Sequence, residues 1–532
     1  MKNRFSVNRI LMCLALVVSL FATSCSTGPN PTDVIPSTAA FVASVDITSL
    51  ARKGELQDLK SMNCYKMIES GVEQQPEEVR EFLNLILKDP TVTGISFKDN
   101  IYGYMVNKDV DAQYFNVAMV LGDAEKFTQF MSKTIEMEGA TFQMETEGGF
   151  KRIKLRHNGV LIWDNQYLVL SIASNYPSRK GLLESATALF SLQQTERITA
   201  LESYNTLSGD DKDMNYWMSA DLLIDYVASN NRMMSPMMEP FKGCAGMVHV
   251  DFKDGEIVSD SKVYLTEAVK EKYVSSKKMK FNTELYDYFP KNNVAIIASA
   301  IDKDMIKKRL EEEKDVDQMD KMFQKQAGVD IQTALATLGN SMMISFSDLQ
   351  ITEGRYGRSN YIPELNLAVA LNKDQENKWI LDLLAKATRY DQDGYFVLKV
   401  TNDINAYFAI TDELFYVTNN QKNVRTTVGL STPEETFASS EIASRFEDTM
   451  AFIYLDLEYD HLPKSIKKMA LEAFTTSQMS FVDGEYALLE DMQMRSTSPT
   501  TGSYTIHFKN KEENSFKQII NLVDNNFVNF MR

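Results

Sequence analysis

Asn116-Val117-Ala118-Met119-Val120-Leu121 and Asn366-Leu367-Ala368-Val369-Ala370-Leu371 share one pattern, an asparagine leading a short apolar run. A run of that length, wholly apolar, reads as a buried strand. Landmarks on either side repeat in the same order. Upstream, Ile35-Pro36 and the run Ala39 to Val45, containing Ala43-Ser44, are echoed by Phe289-Pro290 and Val294 to Ile301, containing Ala298-Ser299. Downstream, Gly149-Phe150 is echoed by Gly394-Tyr395, and the turn Asp164-Asn165-Gln166 before Tyr167 to Leu170 by Thr411-Asp412-Glu413 before Leu414 to Val417. Asp221-Leu222 then matches Asp456-Leu457, and Phe252-Lys253-Asp254-Gly255-Glu256 matches Phe481-Val482-Asp483-Gly484-Glu485. Matches kept in one order along the chain read as an internal duplication. The expected division is a first copy over residues 39–285 and a second over 286–532, with the charged stretch Glu267 to Phe281 as the seam.

Within each copy the signals alternate irregularly. Ala39 to Val45 and Asn293 to Ala300 read as buried strands. Asp123 onward places Phe127, Phe130 and Met131 on one helical face, and Gln375 onward does so with Trp379, Leu383, Leu384 and Ala387. Phe150 to Arg156, Val160 to Trp163 and Tyr167 to Ala173 are short runs parted by Asn-Gly or Asp-Asn-Gln turns, which is hairpin chemistry. The Asp-Gly pairs at 254–255 and 483–484 tolerate the positive φ of a tight hairpin. The fold class expected is therefore α+β, two tandem related units, each a mainly antiparallel sheet covered on one face by helices. Regular βαβ alternation is missing, which argues against a doubly wound nucleotide fold.

The chain begins with a different kind of signal. Lys2, Arg4 and Arg9 form a basic region, Ile10 to Ala22 an apolar one, and Phe21-Ala22-Thr23-Ser24-Cys25 closes it with small residues before a cysteine. The apolar run is shorter than the roughly 20 residues a bilayer span requires, so residues 1–24 read as a removable signal. Ala-Thr-Ser-Cys resembles a bacterial lipobox, in which the peptidase cuts before the cysteine and the thiol accepts lipid; that residue is Cys25. Residues 25–38, with Ser26 to Thr32 rich in turn formers, read as a flexible tether. No later stretch is apolar enough to span, so the body is expected to be held to a membrane through lipid alone. The first acid after Cys25 is Asp33, which favours an outer-membrane protein facing the periplasm, with surface exposure the alternative.

Composition fits a globular body and excludes disorder, collagen and a disulfide scaffold: 44% apolar, 10% aromatic and 24% charged residues. With 56 Lys+Arg against 73 Asp+Glu, and three of the basic residues inside the signal, the mature surface repels polyanions, so no nucleic-acid partner is expected.

Taken together, the lipobox at Cys25, the proline-led strands at Pro36 and Pro290 and the Asp-Gly-Glu segments resemble a family of Bacteroidota lipoproteins that are duplicated, secreted and of unknown function. The resemblance implies a cell-envelope location and a doubled architecture. It implies no activity.

The chemistry-bearing residues are sparse. His157, His249, His461 and His507 lie far apart in sequence and form no zinc motif. Beyond Cys25, Cys64 and Cys244 form either one disulfide or two small core residues, and no Cys-x-x-Cys exists. Met233-Met234 and Met237-Met238 offer soft thioethers, read here as a pliable apolar patch rather than a copper site. Ser275-Ser276-Lys277-Lys278 and Ser465-Ile466-Lys467-Lys468 satisfy Ser-x-x-Lys without the companion motifs. Asp210-Asp211-Lys212-Asp213 and Asp391-Gln392-Asp393-Gly394 lack the full calcium-loop spacing. No catalytic residue, metal site or cofactor is assigned. The reading is a non-catalytic binding or interaction module with an unknown protein or cell-wall partner; the alternatives are a carrier or sensor of a small apolar ligand and, behind it, a hydrolase. An interaction module predicts an exposed apolar patch, a carrier a cavity of at least about 300 Å³, and a hydrolase titratable groups converging in a cleft.

Overall fold

The computed structural model describes residues 29–530 apart from 110–111, 139–142, 156–157, 175–180, 210–211, 222–223, 225–237, 276, 313–315, 354–358, 391–392, 402–403, 432–434 and 474–487. It is a mixed structure of helices and antiparallel strands that divides into two compact units. One runs to Lys270 and takes in Asn510–Arg532; the other is Glu271–Lys509. The break falls inside the charged helix Glu267–Tyr273, and the C-terminal segment goes with the first unit, not with the residues 286–532 among which the chain order counts it.

The first unit contains β1 (Ala39–Val45), β2 (Ile101–Asp109), β3 (Ala112–Val120), β4 (Met144–Glu147), β5 (Phe150–Leu155), β6 (Gly159–Trp163), β7 (Tyr167–Ala173), β8 (Met214–Ser219), β9 (Ala245–Lys253) and β10 (Glu256–Tyr264). Antiparallel pairing runs in the order β4-β5-β6-β7-β3-β2-β1-β8-β9-β10. Alternation along the strands explains most of the burial, but β6 does not alternate: its Val160, Leu161, Ile162 and Trp163 are all buried. A strand apolar on both faces must be covered on both. Helices therefore lie on both sides of this part of the sheet, which corrects the one-faced covering expected. Val160, Ile162 and Val169 pack with Leu182, Ala186 and Leu189, whereas Leu161, Trp163 and Leu168 pack with Phe82, Phe127 and Phe130. Phe127, Phe130 and Met131 are the stripe read at Asp123, on the helix Ala124–Glu138.

The second unit contains β11 (Ala295–Ala300), β12 (Leu338–Glu353), β13 (Ser359–Leu371), β14 (Arg389–Tyr390), β15 (Phe396–Lys399), β16 (Asn405–Ile410), β17 (Leu414–Thr418), β18 (Ala451–Asp456), β19 (Leu489–Ser498) and β20 (Thr501–Phe508). Its antiparallel order is β14-β15-β16-β17-β13-β12-β11-β18-β19-β20. Ile296, Ala298, Met343, Ala368 and Phe452 face one core with Phe281, Phe289, Phe437 and Phe446. On the other side, Ile380 and Leu384 of the helix Lys378–Ala387 pack with Leu371 and Phe396, and Trp379 donates to Thr337 Oγ1 at 3.0 Å.

The Asp254-Gly255 turn joins β9 to β10, with Gly255 at φ +67°. The β19–β20 turn is Ser498–Thr501, and Phe481–Glu485, matched in sequence to Phe252–Glu256, lies outside the described residues. A Cβ at Gly255 would stand 2.6 Å from the Cα of Lys511, on top of the cost of positive φ. Gly255→Ala is expected to destabilise the first unit by about 2–3 kcal/mol, read as faster amide exchange over β9 and β10, with the midpoint being that of the local exchange-detected transition in urea. An unaltered midpoint would refute the turn as drawn.

The C-terminal helix Ser515–Phe530 is held by long-range contacts. Asp524 accepts the backbone N–H groups of Asn63 and Cys64, both at 2.8 Å, capping the helix Asn63–Glu73 from outside, and Phe516 lies 5.0 Å from Phe252 between ring centroids.

Candidate functional site

The residues singled out in the sequence do not converge. Cys25, His157 and Met233 to Met237 lie outside the described residues. Cys64 and Cys244 are free thiols, so the disulfide left open by the sequence is not formed. Cys64 lies in the first turn of the helix Asn63–Glu73, where burial and the neighbouring Asp524 carboxylate push its thiol up to about 11; Cys244 is buried just ahead of β9. Thiols of that kind are unreactive near neutral pH. His249 is buried with both ring nitrogens engaged, Nδ1 at 2.7 Å from Asn215 Oδ1 and Nε2 at 3.1 Å from the Leu207 carbonyl. In the Ser-x-x-Lys segment at 465, the serine hydroxyl donates to Asp348 and not to a lysine.

A site emerges elsewhere, at one end of the second unit's sheet. The lead into β11 (Lys291 to Val294), the end of β18, the start of β19 and the short helix Glu441–Ser444 surround an open cleft of about 380 Å³. Backbone bonds fix this end: Asp456 N–H donates to the Val294 carbonyl at 2.9 Å and Leu457 N–H to the Glu490 carbonyl at 3.0 Å. Alternation then puts Tyr454 and Asp456 on one face of β18, and Asp491 and Gln493 on the same face of β19. The register sets Asp456 directly opposite Asp491. Two like charges in that position are unfavourable, and the surroundings divide their roles.

Asp491 is almost fully buried and engaged at both oxygens. His507 Nδ1 lies 2.7 Å from Oδ1, Gln493 Nε2 donates to Oδ1 at 2.9 Å, and Arg445 donates to Oδ2 at 3.1 Å. Burial alone would raise this carboxyl, but those partners together hold it below the ordinary carboxylate range. Asp456 goes the other way: burial raises it, with nearby Glu458 and Asp491 adding to the rise against the Glu458 N–H and His461. Burial, with the same two aspartates, also pushes up the Tyr454 phenol. Glu458 and His461 form the rim. His461 Nδ1 stands 3.3 Å from Glu458 and 3.6 Å from Asp456, while Lys509 reaches Glu458 at 3.3 Å.

One lining residue has a buried acceptor without a donor. Asn293 is 7% exposed, donates its amide N–H to the Pro290 carbonyl, and has an Oδ1 that accepts nothing. None of Asn293, Asp456 or Asp491 belongs to a local motif. A signal did exist in Asp491-Met492-Gln493-Met494, where polar side chains alternate with apolar ones on a strand. A neighbouring hollow of about 500 Å³ shares Lys291 and Asn292 and is lined by Tyr288, Lys422, Asn423 and Thr436.

Chemically, the cleft can accept hydrogen bonds and hold positive charge. Among the described residues, no group of three or more His, Cys, Asp or Glu is disposed to hold a metal ion, and no helix is long and apolar enough to cross a membrane. Exposed apolar side chains sit on each unit's sheet, Phe115 across from Ile172 in one and Ile297 between Ile344 and Ile453 in the other.

A family model described as a domain of unknown function, DUF4836, matches residues 31–516. No curated protein matches. Among solved structures, two crystal forms of TP0453 are similar over 46% of this chain and 82% or 81% of theirs, at 12% and 11% identity; the TM-score of 0.26 in both cases is too low to carry an argument.

Proposed function

The chain belongs to the DUF4836 family, and from that premise we propose that it is a lipid-anchored cell-envelope protein whose two units are copies of one fold and whose role is to bind rather than to catalyse. The observation that carries the binding reading is Asp491. It is the carboxylate at the floor of the cleft that its partners hold below the ordinary range, with Oδ1 accepting from Gln493 and facing His507 Nδ1, and Oδ2 accepting from Arg445. A general base needs a free lone pair within reach of a substrate proton, whereas most of this carboxylate's acceptor positions, about three of four, serve to hold His507, Gln493 and Arg445. A hydrolase is accordingly the weaker reading. So is a carrier of apolar ligands: the cleft exceeds the volume of about 300 Å³ such a site needs, but it is rimmed with charge. An unidentified protein or cell-wall partner suits the polar cleft and the exposed sheet residues better.

Support for the copies comes from matching backbone bonds. Ser37 N–H to the Glu196 carbonyl at 2.7 Å parallels Lys291 to Glu435 at 3.1 Å, and Ile198 to Ile35 at 2.8 Å parallels Phe437 to Phe289 at 2.9 Å. Leu121 to Gln166 and Leu371 to Glu413, both 2.7 Å, are a third pair. The two strand orders given above are the same when each unit is counted from its first strand.

The anchor is the lipobox cysteine, Cys25, and the proposed location is the outer membrane facing the periplasm, with display on the cell surface as the alternative. Native mass spectrometry of the full-length protein extracted from its host's membranes is expected to give a chain beginning at Cys25 with added acyl mass. An unmodified Cys25 would remove the anchor from the proposal, and a co-purifying polypeptide or wall fragment would identify the partner.

A further inference from the structure

We propose that the first unit rests on the headgroup layer of the membrane through the surface around Asn30, Gln193 and Gln194, which turns the opposite, apolar face of its sheet toward the aqueous side. This rests on the anchor reading above and adds to it a contact surface and an orientation.

The chain is part of the packed body from Asn30 onward, five residues after Cys25. Asn30 caps the turn Pro31–Val34, its Oδ1 accepting from the Thr32 N–H at 3.1 Å, and Pro31, Thr32, Val34 and Ile35 are buried. Side chains fasten that turn. Asp33 accepts from the Tyr167 hydroxyl at 2.7 Å through one oxygen and pairs with Arg197 through the other, while the Tyr104 hydroxyl donates to the Val34 carbonyl at 2.8 Å.

The turn belongs to one face of the sheet. Val34 and Ile35 pack with Tyr104, Tyr114, Val160 and Ile162. Alternation sends Phe115 and Ile172, the cross-strand neighbours of that stretch, to the other face, and both are exposed. The five steps from Cys25 to Asn30 reach at most about 18 Å. Sideways, four strands lie on either side of β2 and β3 in the order given above, about 19 Å of sheet, which puts both edges out of reach. Past the strand ends, the chain would have to descend the layer of about 10 Å between the turn and the sheet and then the sheet's own side chains. Laying Phe115 against the bilayer would therefore hold those five steps nearly straight, at the full cost in conformational entropy. Laying the turn's own side down needs no such extension, because acyl chains on Cys25 hold that residue at the membrane surface.

The chemistry of the surface fits the same partner. Gln193, Gln194 and Thr195 are exposed and uncharged, Arg197 is taken by Asp33, and Glu196 accepts the Gln193 N–H at 2.9 Å. Neutral donors and acceptors suit the phosphate and ammonium of a zwitterionic headgroup. A chain of net charge −17 has no long-range attraction to anionic lipid.

Photocrosslinking of the full-length, acylated protein in vesicles of phosphatidylethanolamine and phosphatidylcholine tests the orientation. Benzoylphenylalanine replaces Gln194 in one variant and Phe115 in another, and mass spectrometry reads the lipid adducts. Circular dichroism checks that each is folded; should the Phe115 variant lose structure, Ile172 on the same face takes its place. Adducts at Gln194 are expected to exceed those at Phe115 by about tenfold or more. A flexible Gly-Ser insert of about 20 residues after Ser26 is expected to cut the Gln194 adducts by about tenfold, because effective concentration falls as roughly the three-halves power of tether length. Equal or greater yield at Phe115 would overturn the orientation, and Gln194 adducts indifferent to the insert would overturn the part given to the short tether. Either result would leave an acylated Cys25, and with it the anchor, standing. Gln194 adducts that form only after phosphatidylglycerol is added would overturn the zwitterionic surface. An intact mass with no acyl group on Cys25 would remove the anchor and this proposal together.

Discussion

Lys53→Met is expected to destabilise the first unit by about 3–5 kcal/mol, the range for removing one member of a buried ion pair. Lys53 ends the helix Ile47–Lys53 and places Nζ 2.6 Å from Asp213 Oδ2 and 2.5 Å from Asp251 Oδ1. Asp213 has a side chain only 2% exposed, and its remaining lone pairs accept from Ser49 Oγ at 2.6 Å and Phe252 N–H at 2.7 Å. Methionine keeps the stem's packing and removes only the charge. Two carboxylates would then face one another, with Lys212, 3.6 Å from Asp251, the remaining cation. Burial would raise Asp251, yet the Lys53 hydrogen bond and charge bring it below the ordinary carboxylate range. A depressed value stabilises above the ordinary range and is lost as pH falls through the folded one. Wild type should therefore lose stability on acidification more steeply than Lys53→Met. Amide exchange over β1, β8 and β9 reads the effect locally, which a two-unit chain requires. Restoring balance with Asp213→Asn in the Lys53→Met background should recover much of the loss. A single-variant deficit under about 1 kcal/mol, the scale of a surface pair, would refute the buried-pair account.

Local patterning carried the strands well and the tertiary pairing poorly. Tyr167 to Ala173 was readable to the residue because its apolar run ends in turn chemistry on either side. The stripe of Phe127, Phe130 and Met131 named its helix for the same reason, since a 3.6-residue period survives any context. Residue spacing said nothing of the C-terminal helix, because what places it with the first unit is Asp524 accepting N–H groups from Asn63 and Cys64 at the far end of the chain. The cleft was hidden in a similar way. Asp456 appeared only as half of an Asp-Leu repeat match, and Asp491 not at all, because what gives them chemistry is being cross-strand neighbours. Helices on both faces were legible in principle from Val160-Leu161-Ile162-Trp163, which is apolar at every position.

Asp491→Ala should cost the second unit about 3 kcal/mol, the low end for a broken buried pair because Arg445 is partly solvated. It would leave His507, Gln493 and Arg445 converging on a void. Asp491→Asn keeps the volume and loses the charge, with an expected deficit of about 2 kcal/mol, since hydrogen bonds to an ionised group are worth about 1.5–3 kcal/mol. The pH dependence separates a lost charge from lost packing. Asp491 is held below the ordinary carboxylate range, so its contribution is complete above that range and disappears as pH falls through the folded value. The gap between wild type and Asp491→Asn should thus be widest near neutrality and close on acidification, whereas the packing deficit of Asp491→Ala persists. Asp456 has the opposite sign. Its folded value is raised, so its contribution is present below the ordinary carboxylate range and lost as pH rises through the raised value. Because the Asp491 charge is among the causes of that rise, carboxyl carbon NMR should find Asp456 titrating lower in Asp491→Asn than in wild type, though still above the ordinary range since burial is the largest cause. An Asp456 titration that ignores the substitution would mean that the two carboxylates are neighbours in register only, and that the cleft does not act as one electrostatic unit.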